Sequence, residues 1–198
     1  YTGGWLSECF LYLIVPALCG IFLQALWQPQ VPLASLTSIA YTLLGVVHVS
    51  IPFALLHVLA FDQKQYNYQV VLGIMLLLWA NDVGAYFVGS SLGKHKLAPH
   101  ISPNKTWEGS LGGVLFVIAT SYLIAHHYHV FSSPVWLGIG VTVAIAGTLG
   151  DLAESMLKRS AGVKDASKLI PGHGGMLDRF DSFLLAIPAV LAFVRLVN

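Results

Sequence analysis

The stretch Gln69-Val-Val-Leu-Gly-Ile-Met-Leu-Leu-Leu-Trp-Ala-Asn81-Asp82-Val-Gly84-Ala-Tyr-Phe-Val-Gly89 holds a single charged side chain in twenty-one residues. A helix needs about 20 such residues to cross a bilayer at 1.5 Å per residue. Outward from it the same pattern repeats. Cys9–Trp27 is an apolar run closed by Gln28-Pro29-Gln30. Leu33–Phe61 is a second run, too long for one untilted span, with Pro52 inside it. It reads as one bent helix or as a span plus a short re-entrant piece. Residues 62–68 are polar. Leu111–Ala125, Val135–Gly150 and the shorter Ser182–Val197 are the remaining apolar segments. The expected fold class is therefore all-α, a polytopic transmembrane helix bundle.

Composition agrees. Of the 198 residues 56% are hydrophobic and 10% charged, whereas a soluble domain carries about 25% charged residues. The net charge of +1 gives no support to nucleic-acid binding. Cys9 and Cys19 lie in one apolar run and read as small core residues, not as a disulfide framework. The sequence starts at Tyr1 and enters an apolar segment at once, which suggests that upstream helices belong to a longer protein. We divide it into N-terminal spans, 1–68, and a second membrane domain, 69–198, with charged loops at 90–110 and 158–181.

Lysine and arginine orient these segments. The first loop carries Lys94, Lys96 and Lys105; the second carries Lys158, Arg159, Lys164, Lys168 and Arg179. Two spans separate the loops, so both lie on one side. The connections on the other side, 62–68 and 126–133, hold only Lys64. The positive-inside rule then puts both charged loops in the cytoplasm.

Charges near the spans point to chemistry. Asp82 within its span is costly unless it faces a polar cavity or a partner. If the helix after Val135 continues past the membrane, Asp151, Glu154, Ser155 and Lys158 share one face at i, i+3, i+4 and i+7. That face could be only the wet end of a helix, but apolar Ala144–Leu149 lead straight into Asp151. Next comes Pro171-Gly172-His173-Gly174-Gly175-Met176-Leu177-Asp178-Arg179-Phe180-Asp181, whose glycines permit N–H groups to approach an anion. Carboxylates beside lysines, arginines and glycine-rich turns suit a divalent cation with phosphate. The absence of a CxxC pair, and the position of His126, His127 and His129 on the opposite side, argue against a zinc centre. These residues alone fit a membrane enzyme handling phosphate; an anion transporter or channel fits them too.

The twenty-seven residues from Ser155-Met-Leu-Lys158-Arg159 through Lys164-Asp165 and His173-Gly174-Gly175 to Asp178-Arg179-Phe-Asp181 closely resemble the signature of the phosphatidate cytidylyltransferases. Asp82-Val-Gly84, Gly93-Lys94 and Ser102-Pro103-Asn-Lys105-Thr106-Trp-Glu108-Gly109 also look like this family. The likeness runs from about residue 69 to the end; before that it is one of apolar spans only, and family members usually have further N-terminal helices. It implies transfer of the cytidylyl group of CTP to phosphatidic acid, giving CDP-diacylglycerol and pyrophosphate, with Mg²⁺ or Mn²⁺, in a multi-pass protein of the bacterial inner membrane with its site facing the cytoplasm.

By that resemblance Asp151 and Asp178 match the metal-binding carboxylates. Lys158, Arg159 and Asp181 join them as candidate catalytic residues. Lys94, Ser102, Lys105, Thr106, Glu108, Lys164, Asp165, His173, Gly174, Gly175 and Arg179 are candidate substrate contacts. Asp82 is expected to face a polar cavity shared with Asp151 and to act as an outer ligand of the metal, with Gly84 letting a neighbouring helix approach. Lys158, Arg159 and Arg179 would supply compensating positive charge. The expected partners are CTP, phosphatidic acid and the bilayer, and no nucleic acid; a homodimer is admitted but not required. The rival readings are a CTP-dependent membrane kinase of polyprenol type and a non-enzymatic anion transporter. A CDP-alcohol phosphotransferase lacks support, because its spaced aspartates after a DG pair are missing.

Overall fold

The computed structural model describes residue 20 and residues 32–62, 65–167 and 175–197. The expected span at Cys9–Trp27, with both cysteines, falls outside these apart from Gly20. Five helices are described: α1 (Pro32–Ala60), α2 (Tyr68–Leu92), α3 (Trp107–His127), α4 (Ser133–Ser160) and α5 (Asp181–Val197). The long run containing Pro52 is thus a single helix, α1. Among the described residues, four helices are long and apolar enough to cross a membrane: Thr37–Ala60 and the whole of α2, α3 and α4. The chain is a multi-pass helix bundle.

It divides into two compact units, residues 1–50 and 51–198. In the first, the described part of α1 keeps exposed apolar residues such as Leu44 and Val47, and Thr42 returns its hydroxyl to the Ser38 carbonyl at 2.8 Å. The second unit carries every candidate site residue.

Helix starts in the second unit follow local capping. Asn67 accepts the Gln69 N–H at 3.0 Å to open α2, and Thr106 accepts the Gly109 N–H at 3.1 Å to open α3. Two small antiparallel ladders stand between helices. Phe61–Asp62 (β1) pairs with Gln65–Tyr66 (β2), and Lys96–Ala98 (β3) pairs with Ser102–Thr106 (β4). The first charged loop is therefore largely a hairpin that delivers Lys105 and the Thr106 cap together.

The core of this unit is built from α2, α3, α4 and α5 around Ile74, Leu77, Val117, Ile139, Val143 and Ile187, all fully buried. The outward faces stay apolar, with Phe87, Leu115, Tyr122 and Ile145 exposed. A surface of that kind matches hydrocarbon, not water. α2 and α3 meet through glycine: a Cβ on Gly84 would lie 2.7 Å from the Phe116 side chain and 2.8 Å from the Gly112 carbonyl. Such close backbone approach is how helices associate in lipid, where dispersion and not water drives packing.

Trp136 is the largest buried side chain. Its ring lies over Gly73, and its indole N–H donates to the Tyr128 carbonyl at 3.3 Å. Trp136→Ala is expected to destabilise the unit by about 3–5 kcal/mol, read by titrating the micellar protein with a denaturing detergent. A change below about 1 kcal/mol would mean that the bundle closes over the vacated volume.

Candidate functional site

α4 has 28 residues and is about 42 Å long, against a hydrocarbon core of about 30 Å. Its last turns therefore emerge, and the helix does continue through Asp151, Glu154 and Lys158 to Ser160. α2 runs on to Leu92, so Asp82 sits about 15 Å below its C-terminal end. The two charged loops meet at this end of the bundle: Arg159 Nε donates to the Ile101 carbonyl at 3.5 Å.

Here a cavity of about 530 Å³ opens between α2, α3, α4 and the β4 strand. Asp82, Lys105, Asp151, Asn81, Thr106 and Ser182 are among its lining residues. Asp82 and Asp151 thus share one cavity. Lys105 pairs with Asp151 Oδ2 at 2.5 Å and reaches the Thr148 carbonyl at 3.5 Å. Asp82 is exposed to this space, and its charge is repelled by Asp181 and Asp151 and attracted by Lys105. Asp181 is carried close by the start of α5, which packs tightly on α4 at Gly150; a Cβ there would stand 2.8 Å from the Asp181 carbonyl. A second cavity of about 550 Å³ shares Asp82 and Ser182 with the first and adds Asp178, Arg179 and Asp181 beside apolar Met75, Leu78 and Phe183.

Asp178 is held differently. Its Oδ1 accepts from Lys158 Nζ at 2.6 Å, and Oδ2 accepts from the N–H groups of Gly175 at 2.7 Å and Ala166 at 2.9 Å. Burial alone would raise this carboxyl, but the ammonium and the two amides outweigh it and hold Asp178 below the ordinary carboxylate range. In this state Asp178 ties the loop after α4 to the turn before α5.

Other candidates serve the scaffold as well. Glu108 accepts from the N–H groups of Lys94 at 3.1 Å and His95 at 3.2 Å, and pairs with the His95 ring at 2.6 Å. Ser102 is half-buried in β4. Arg159 also donates to the Val163 carbonyl at 3.2 Å. Lys94, Lys164, Asp165 and Arg179 are exposed, Arg179 on the second cavity. His173 and Gly174 lie outside the described residues.

One residue went unselected by sequence reasoning. Glu154 was visible only as part of a helix face, yet it is 2% exposed and sits 3.3 Å from Lys158. Its i+3 spacing from Asp151 and i+4 spacing to Lys158 were the available signal.

Among the described residues, no group of three or more His, Cys, Asp or Glu side chains could hold a metal unaided. Mg²⁺ does not require one, since it commonly takes one or two carboxylates, keeps waters and shares substrate phosphate oxygens. Asp82 and Asp151, which line one cavity, are the number of carboxylates such an ion takes from a protein.

The model of the Cytidylyltransferase family matches residues 2–197, nearly the whole chain. Relatives include a phosphatidate cytidylyltransferase of Staphylococcus aureus, 43% identical over 151 residues, covering 75% of this chain and 56% of the relative. That of Haemophilus influenzae is 44% identical over 128 residues, 60% of this chain and 43% of the relative. That of Staphylococcus haemolyticus is 42% identical over 151 residues, with the same coverage as the first. The chain thus spans about half the length of the relatives it matches.

Proposed function

The chain belongs to the cytidylyltransferase family, and on that premise we propose that it transfers the cytidylyl group of CTP to phosphatidic acid, releasing CDP-diacylglycerol and pyrophosphate at the cytoplasmic face of a bacterial inner membrane. The observation that carries the reading is the cavity in which Lys105, Asp82 and Asp151 converge where α4 leaves the bilayer. A phosphate on a lipid reaches that level from the membrane, while a nucleotide reaches it from water. The partners entailed are CTP, phosphatidic acid and the bilayer.

In the proposed reaction a phosphate oxygen of phosphatidic acid attacks the α-phosphorus of CTP. The bond from the α-phosphorus to its bridging oxygen breaks, and pyrophosphate carries away that electron pair. No protein nucleophile is needed, so acceleration comes from positioning and from charge. Lys105 exchanges the Asp151 carboxylate for a substrate phosphate; Arg159, Lys164 and Arg179 hold the triphosphate and lipid phosphate as charge and fork donors. Asp151, Asp178 and Asp82 are the residues that would hold Mg²⁺, with Asp181 beside them. When bound, Mg²⁺ would offset carboxylate repulsion and charge building on the pyrophosphate.

Phosphorus NMR of the micellar protein with CTP, phosphatidic acid and Mg²⁺ tests the reading. Pyrophosphate and CDP-diacylglycerol should appear in equal amounts. CDP with a newly phosphorylated lipid would assign a CTP-dependent kinase instead, and unchanged CTP with anion flux in vesicles a transporter. Lys105→Ala should weaken apparent CTP binding about tenfold or more, measured as the CTP concentration for half-maximal rate. Unchanged nucleotide and lipid affinities and unchanged turnover would leave Lys105 as a lysine of the positive-inside pattern only.

A further inference from the structure

Lys158 stands between two carboxylates and is bonded well to only one. Its ammonium lies 2.6 Å from Asp178 Oδ1 and 3.3 Å from Glu154 Oε1, with the side chain 14% exposed. Among the described residues, Asp178 has three donors on its two oxygens. Glu154, one helical turn before Lys158, is buried, and neither of its oxygens accepts a hydrogen bond among the described residues. A buried carboxylate whose nearest donor is an ammonium 3.3 Å away, bonded better to another acid, is expensive, and an apolar side chain of similar size would serve stability as well or better. Its placement makes sense as an acceptor kept open beside an ammonium engaged elsewhere. The lysine stem is flexible and its three donors rotate, so moving from one carboxylate to the other takes only side-chain torsions.

We propose that Glu154 is the second seat of the Lys158 ammonium, taken up when a divalent cation binds Asp178. Asp178 cannot serve cation and ammonium with the same oxygen. Without Glu154, the displaced ammonium would be left buried and unpaired, so it would compete with the cation for Asp178. Glu154 is then a positioning residue: it acts on the cation through Lys158 and touches neither substrate. The inference rests on the proposed cation at Asp178.

The test measures Mn²⁺ binding to the whole chain in detergent by electron paramagnetic resonance, without nucleotide or lipid. Glu154→Gln keeps the shape and removes the second seat; it should bind Mn²⁺ about tenfold more weakly than wild type. Adding Lys158→Met removes the competitor, so the double variant should recover to within about threefold of wild type. Lys158→Met alone should bind Mn²⁺ at least as tightly as wild type. Unchanged binding in Glu154→Gln overturns the exchange. So does a weakened Glu154→Gln that the second substitution fails to rescue, because a purely structural Glu154 predicts no rescue. Should Glu154→Gln not fold, weaker binding in Lys158→Met alone would overturn it. Because the readout needs no turnover, a wild type that binds Mn²⁺ but makes no CDP-diacylglycerol would refute the reaction and leave the exchange standing. A wild type that binds no Mn²⁺ refutes the exchange itself.

Discussion

Asp151→Asn is expected to lower turnover about a hundredfold or more while leaving the stability of the micellar protein unchanged or slightly raised. Asp151 is partly exposed in the cavity, where it pairs with Lys105. A pair exposed to that extent contributes about 0–1 kcal/mol. Against this stands its repulsion of Asp82 and Asp181, which the amide removes. Ser155 donates to Oδ1 at 3.3 Å, a bond the amide oxygen can still accept. Thermal unfolding and rate measured on one preparation separate the two effects. Turnover near wild type would take Asp151 out of the chemistry, and a large loss of stability would make it structural. Asp178→Asn should differ, because its oxygens hold Lys158 and two backbone amides, so both rate and stability should fall.

Gly150→Val should couple packing directly to rate. The added Cβ would meet the Asp181 carbonyl at 2.8 Å, the Leu185 Cβ at 3.1 Å and the Ser182 carbonyl at 3.2 Å, and two of these are backbone atoms that cannot swing aside. α5 must move away, taking Asp181 from Asp151. Overpacking of this kind costs about 1–3 kcal/mol, and a displacement near 1 Å at a site that works by positioning costs about a hundredfold in rate. One turn earlier, Gly147→Ala places its Cβ 3.5 Å from Leu78 and 3.6 Å from Ser182, ordinary contacts, and should change little. Full activity in Gly150→Val would show that the approach of α5 to Asp151 is dispensable.

The helices were legible because their signal is local. Apolar runs of bilayer length gave α2, α3 and α4, and α4 does continue through the i, i+3, i+4, i+7 acids and lysine as read from the sequence. The shared cavity of Asp82 and Asp151 was legible too, since an acid within a span has few inexpensive surroundings. Strand pairing in the first loop was not. β3 and β4 have three and five residues, β4 contains Pro103, and neither alternates apolar with polar. Ion pairs between helices left no trace in spacing. Lys105, carried on β4, attracts the Asp82 charge and was not among the three cations expected beside it. Lys158 instead joins Glu154 to Asp178. The three donors on Asp178 come from two backbone amides and a lysine a helix away, and no residue pattern encodes a backbone amide's direction.

Following label from CTP into lipid tests the central claim most directly. Parallel reactions with phosphatidic acid and Mg²⁺ would carry the label on the α-phosphate or on the γ-phosphate, with Asp151→Asn beside wild type. Cytidylyl transfer at this cavity predicts that α-label enters the lipid, that γ-label leaves as pyrophosphate, and that Asp151→Asn abolishes both. Label from the γ-phosphate in the lipid, or α-label transfer undiminished in Asp151→Asn, would contradict it.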